Sequence, residues 1–279
     1  MSVTARFEGR RAIVTGASRG IGAAVAERLA ADGAAVALVA RTRADHDHLT
    51  GSLEQTAERL NRYGRPAGVV VADLTDESDR ARVVTEAVDA LGGPVDILVN
   101  NAAAAIYGAV GELSLKRRRI LFEANVHAPL DLAQAVIPAM RAAGEGWIVN
   151  VSSGTARSWD GPPFQLGFTG STITAYGASK AALNRMSNGL GAELHGTGIR
   201  VNTVEPRAAV LTEGADALVG SSLTPDLIEP LETMVEAVVA LCDCGPDVTA
   251  RSFVSLDLIS DWAIEVRGLD GGPLRAADS

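Results

Sequence analysis

The chain has 279 residues, 47% of them hydrophobic but only 4% aromatic, with a formal net charge of −9. Such a balance excludes sequence-independent nucleic-acid binding, which needs clustered Lys and Arg rather than surplus carboxylate. It favours a large core of Ala, Val, Leu and Ile, as in a parallel sheet covered by closely approaching helices, and α/β domains of ~250 residues are ordinary in size.

Short β-branched runs alternate with Ala-rich helical runs as far as about residue 205, the pattern of right-handed βαβ crossings. Predicted strands are Ala12-Ile13-Val14, Ala35 to Val39, Gly68 to Val71, Ile97-Leu98-Val99, Trp147 to Val151, Arg200-Val201-Asn202 and Ser252 to Ser255. Helices are expected at about 20–32, 51–63, 76–91, 113–143, 175–195 and 229–242, with Gly33 and Gly92-Gly93 just past helix ends. The fold class is therefore α/β: a Rossmann-like, doubly wound, mainly parallel seven-stranded sheet, in one domain over 1–279. Two long stretches break the rhythm, 154–174 and 206–228, the second containing Gly214, Gly220 and Pro225. Both follow strand C-termini, where ligands bind in such sheets, so they are expected to frame a substrate pocket.

Lys116-Arg117-Arg118-Arg119 is the one basic run and reads as a solvated helix face. Cys242 and Cys244 fit neither a disulfide framework nor a zinc pair, and His46, His48, His127 and His195 show no metal spacing, so no metal is expected. No run nears the ~20 apolar residues of a membrane span, and the N-terminus has no signal-like region. A cytoplasmic protein without membrane or nucleic-acid partners is expected. Ser152 and Ser153 lack the Gly-x-Ser-x-Gly context of a hydrolase nucleophile.

Thr15-Gly16-Ala17-Ser18-Arg19-Gly20-Ile21-Gly22 lies between the first strand and the first helix, where backbone amides and the positive helix end can face a pyrophosphate. At the end of the second strand the chain reads Ala40-Arg41, not the carboxylate that would meet the adenosine ribose of NAD. An arginine there, with Arg19, suits a 2′-phosphate, so NADP(H) is favoured over NAD(H); the alternative is a solvated loop charge. Asp73 is placed to meet the adenine or to serve as a turn residue. Tyr176 and Lys180 share a helix face at i,i+4, where a fixed ammonium can stabilise a phenolate whose ordinary pKa is ~10.

Thr-Gly-x-x-x-Gly-Ile-Gly at 15–22, Asp73-Leu74, Asn100-Asn101-Ala102, Asn125-Val126-x-x-Pro129, Ile148-Val149-Asn150-Val151-Ser152-Ser153 and Tyr176-Gly177-Ala178-Ser179-Lys180 together resemble the short-chain dehydrogenases/reductases over about residues 8–206. The resemblance implies Tyr176 as general acid/base, Lys180 holding the nicotinamide ribose and lowering the tyrosine pKa, Ser153 orienting the substrate oxygen and Asn125 supporting a relay water. It places Gly16, Ser18, Arg19, Gly20, Ile21, Gly22, Arg41, Asp73, Leu74 and Asn100 around the cofactor. It further implies a homodimer or homotetramer packed through 113–143 and 175–195.

Three departures from the family pattern stand out. Ala103 replaces a glycine after Asn100-Asn101-Ala102. Ser153 precedes Tyr176 by 23 positions rather than about a dozen, leaving Ser152, Ser171 and Thr172 as alternatives. Pro206-Arg207 stands where Pro-Gly is usual, ahead of a hydrophobic residue and a threonine that close over the nicotinamide.

The expected activity is hydride transfer between NADP(H) and a secondary alcohol or ketone. An apolar substrate is suggested by Phe164, Leu166, Phe168 and Ile173. The alternative is a weakly catalytic NADP(H)-binding sensor or scaffold.

Overall fold

The computed structural model describes residues 5–44, 50–64, 67–164, 166, 170–212, 224 and 228–274. His46, His48, Phe168, Gly214, Gly220 and Pro225 lie outside the described residues.

Seven strands form one fully parallel sheet: β1 (Arg11–Thr15), β2 (Ala35–Ala40), β3 (Gly68–Val71), β4 (Ile97–Asn100), β5 (Gly146–Val151), β6 (Ile199–Glu205) and β9 (Ser252–Val254). Their spatial order is β3-β2-β1-β4-β5-β6-β9. A separate parallel pair joins β7 (Ala209–Val210) to β8 (Ile228–Glu229). The helices are α1 (Gly20–Ala31), α2 (Leu53–Asn61), α3 (Glu77–Leu91), α4 (Leu115–Phe122), α5 (Ala128–Ala143), α6 (Thr174–Glu193), α7 (Leu231–Leu241) and α8 (Ser255–Asp261).

Successive strand side chains feed opposite faces. Ala12, Val14, Val36 and Leu38 pack with α1, α2 and α7, whereas Ile13, Ala37 and Val39 pack with α3, α5 and α6. Two cores thus sandwich one sheet, which is why each central strand reads as a continuous apolar run. Strand order reverses between β1 and β4, opening a crevice at their C-terminal ends where a ligand can enter.

The run predicted as one helix over 113–143 is continuous but not uniform. Glu123–His127 form a π-helical turn in which the Ala128 N–H reaches back to the Glu123 carbonyl. Local periodicity does not reveal one extra residue in a turn. α8 was not legible in the sequence either; it is a short helix with Ser255 and Leu258 buried.

A buried ion cluster ties α1 to α7. Arg28, only 1% exposed, donates to Glu236 Oε2 at 2.5 Å and to Asp32 Oδ2 at 3.1 Å. The Arg267 amide also reaches Glu236 Oε2, at 3.4 Å. Burial pushes the Asp32 carboxyl up, opposed by the neighbouring Arg28 and Arg6 cations.

Candidate active site

The glycine turn is held from beneath by β4. Thr15 Oγ1 accepts from the Asn101 and Ala102 amides, both at 3.0 Å, and Asn101 Nδ2 donates to the Thr15 carbonyl at 2.9 Å. Gly16 has φ +67°, a left-handed conformation. A Cβ on Gly22 would stand 2.4 Å from both the Gly16 oxygen and Asn101 Nδ2, so the turn closes only around glycine. Arg19 at the N-cap of α1 supplies no side-chain cap, and the first helical turn carries no acid. Open amides at a positive helix end fit a pyrophosphate.

Around this turn Ser18 and Leu74 are buried, and Ile21 packs half-buried on the core beneath Gly20 and Gly22. Arg41 is exposed at the end of β2. The Arg19 side chain donates to the Thr50 and Gly51 carbonyls at 2.8 and 2.9 Å, which sets the guanidinium on the same side as the β2 terminus. Asp73 Oδ1 accepts from the Thr75 amide and hydroxyl at 2.9 and 2.8 Å, an Asx-type turn. The Asn100 side chain points into the sheet, donating to Asn150 Oδ1 at 2.8 Å; Asn101 is the member of that motif that braces the glycine turn.

At the reacting centre α6 presents Tyr176, 9% exposed, and Lys180, 2% exposed. Tyr107 leans on the Tyr176 ring with centroids 5.7 Å apart, and Leu113 and Leu121 complete an apolar wall. Ser153 Oγ accepts from Thr155 Oγ1 at 2.9 Å, and its hydroxyl acts to lower the phenol's pKa against the effect of burial. Of the alternative hydroxyls, Ser171 is exposed and Ser152 Oγ is buried without a partner.

Asn125, in the π-helical turn, is fully buried. Its amide closes on the Ala104 backbone, accepting from N at 2.8 Å and donating to O at 3.0 Å. It also donates to Ser179 Oγ at 2.9 Å; Ser179 in turn donates to the Tyr176 carbonyl at 2.6 Å. With every side-chain group engaged, Asn125 fixes the wall against α6. Asn101, Tyr107 and Ser179 were not singled out from the sequence, although Asn101 and Ser179 sit inside the motifs quoted there.

Burial drives the Tyr176 phenol above its ordinary pKa, with Ser153 opposing the shift. Lys180 Nζ donates to the Val151 carbonyl at 2.8 Å and lies 6.0 Å from the ring centroid. Burial also lowers the Lys180 pKa, to about 8.

The sign of the lysine effect follows directly. Between about pH 8 and the ordinary 10.5 the folded chain binds fewer protons at Lys180 than the unfolded chain, so this group makes stability rise with pH across that window. Urea unfolding of wild type and Lys180→Met at pH 8 and pH 10 should show the wild type gaining relative to the variant. Parallel pH slopes would contradict it.

The departures from the family pattern are accommodated. Ala103 is exposed and absent from the residues with positive φ. The Arg207 side chain turns away from the crevice to pair with Asp257 of α8. Beyond it, Thr212 stands over the glycine turn: a Cβ on Gly20 would lie 3.1 Å from Thr212 Cβ. Of the loop apolars, Ile173 is buried while Phe164 is 57% exposed.

The short chain dehydrogenase family model matches residues 10–219. The chain belongs to that family. A hydroxysteroid dehydrogenase-like protein 2 from Xenopus laevis is 31% identical over 268 residues, which cover 94% of this chain and 60% of that protein. This short chain dehydrogenase thus spans about three-fifths of the length of that relative. A short chain dehydrogenase from Pseudocercospora fijiensis is 34% identical over 238 residues, 83% of this chain and 70% of that protein.

Among solved structures, a short chain dehydrogenase from Mycobacterium thermoresistibile superposes with TM-score 0.79 at 28% identity, covering 96% of this chain and 93% of that one. A 3-oxoacyl (acyl-carrier-protein) reductase from Agrobacterium tumefaciens, with NADP bound, gives TM-score 0.74 at 27% identity over 89% and 93% of the two chains. The family to which the chain belongs is one of nicotinamide-dependent oxidoreductases. No helix among the described residues is long and apolar enough to cross a membrane.

Proposed function

We propose that this chain transfers hydride between NADP(H) and an apolar secondary alcohol or ketone, with Tyr176 as the general acid/base. The observation that carries the proposal is the buried phenol of Tyr176, flanked by Lys180, at the sheet edge that also presents the uncapped N-terminus of α1. The bound cofactor supplies or accepts the hydride at the carbonyl carbon. In reduction Tyr176 gives its proton to the carbonyl oxygen, and in oxidation it takes the alcohol proton back. Ser153 orients that oxygen, Lys180 binds the nicotinamide ribose, and Asn125 holds the wall on which the substrate rests.

Gly16, Ser18, Gly20, Ile21 and Gly22 cradle the pyrophosphate, while Asp73, Leu74 and Asn100 line or support the adenosine and nicotinamide ends. Arg19 and Arg41 take the 2′-phosphate, a choice supported by the absence of an acid after β2 and by the NADP bound in the Agrobacterium reductase. The features that suggested a scaffold, Ala103, Arg207 and the displaced serine, leave Tyr176, Ser153 and Lys180 together, so turnover is the favoured reading. Assembly as a homodimer or homotetramer through α4, α5 and α6, in the cytoplasm, completes the proposal.

Initial rates with NADPH and NADH against aliphatic, terpenoid and steroid ketones test it. A charge-assisted hydrogen bond contributes ~1.5–3 kcal/mol, so Arg41→Ala should cut kcat/KM for NADPH by about 10–100-fold and leave NADH use unchanged. Equal effects on both cofactors would reject the NADP assignment. Activity confined to charged, sugar-like carbonyls would reject the apolar substrate.

A further inference from the structure

We infer that Glu229 is a positioning residue for cofactor binding: its buried carboxylate holds the backbone at Arg207, and so sets Thr212 against the glycine turn. The inference rests on the proposed dinucleotide site, because it concerns how that site is completed.

Glu229 is 1% exposed and ends β8, two residues before α7 begins. Its Oε2 accepts from the Arg207 amide at 2.8 Å, its Oε1 is buried without a partner, and the Arg207 amide also lies 3.3 Å from Ser255 Oγ. Arg207 and Ala208 immediately precede β7, whose two residues pair with Ile228 and Glu229 themselves. The clamp therefore closes on its own ladder. The carboxylate holds the approach to β7, and the strand it belongs to holds β7.

What β7 delivers is Thr212. The Thr212 amide donates to the Val210 carbonyl at 2.9 Å, turning the chain so that its side chain meets Gly20 at the N-terminus of α1. Arg207 gains a second tether through its side chain on Asp257. A buried carboxylate is a costly way to hold a loop unless donors surround it. Here the donor is the Arg207 amide, part of the backbone segment that must be placed. Simple packing of α7 needs none of this, since β8 and α7 already bury Met234, Val235 and Val238 in the core.

NADPH titration, steady-state kinetics and amide hydrogen exchange of Glu229→Ala and Glu229→Gln against wild type test the clamp. Removing the carboxylate leaves the Arg207 amide only its longer bond to Ser255 Oγ, so Glu229→Ala should weaken NADPH binding about 10-fold and raise its KM alike. kcat at saturating NADPH should stay within about threefold, and amides 207–210 of the ligand-free chain should exchange faster. Glu229→Gln, whose amide oxygen still accepts, should fall between the two.

Unchanged exchange at 207–210 together with unchanged NADPH affinity would overturn the inference. So would a lowered Tm in both variants with wild-type affinity, which is the outcome of a purely structural role. Should Glu229→Ala fail to fold, Glu229→Gln and Ser255→Ala carry the same readouts. If wild type binds no NADPH, the proposed function fails, while exchange at 207–210 still decides whether Glu229 holds the segment.

Discussion

Tyr176→Phe is expected to lower kcat/KM for ketone reduction by about 10²–10⁴-fold, the range for loss of a positioned proton donor, while NADPH affinity holds. Phenylalanine keeps the ring against Tyr107 and Leu113, so the variant loses the hydroxyl and little packing. Ser153 keeps its contact with Thr155, and Lys180 stays on the Val151 carbonyl. The loss should therefore sit in kcat. Initial rates with NADPH and an aliphatic ketone, beside a fluorescence titration of NADPH, separate the two quantities. Residual activity within about threefold of wild type would remove Tyr176 from the chemistry.

The raised phenol pKa gives this prediction a pH companion. Burial keeps the proton on Tyr176 at neutral pH, which suits the acid required in reduction. Oxidation requires the phenol to accept a proton, so its rate should climb with pH while reduction does not.

Arg28→Ala should cost about 3–5 kcal/mol of stability, because it leaves Glu236 buried without its cation. For a chain of this size that corresponds to a fall in Tm of roughly 6–20 °C. Glu236 is 2% exposed and Asp32 loses a partner in the same step. The surviving Arg6 is 3.9 Å from Glu236, too far to replace a 2.5 Å bond. Scanning calorimetry and urea unfolding would measure the change. The double substitution Arg28→Met with Glu236→Leu should recover part of it, since Glu236 no longer leaves a buried charge alone while Asp32 stays without its partner. A single variant as stable as wild type would show that the ion pair contributes nothing.

Strands were legible because both faces of a parallel sheet are buried, which forces short apolar runs such as Ala-Val-Ala-Leu-Val at 35–39. Tyr176, Lys180 and the glycine turn were legible because their chemistry is local, one helical turn or one loop. The rest depends on pairings distant in sequence. Asn101 matters through Thr15, 86 positions away, and Glu229 through Arg207, 22 positions away. Spacing shows that a lysine is near Tyr176, but only the packed structure shows how deeply the phenol is buried. Arg207, which stands where the family usually has glycine, becomes a tether once α8 supplies Asp257.

The π-helical turn at Glu123–His127 carries one residue more than an α-helical register needs, and each residue of an α-helix advances the face by ~100°. Excising a residue there would leave α5 docked on the sheet and swing α4 about its axis. Leu121 would leave the wall beside Tyr176, and a residue of the Lys116–Arg119 stretch would be brought round toward the substrate's path. A single codon in that turn thus governs whether grease or cation greets an incoming ketone.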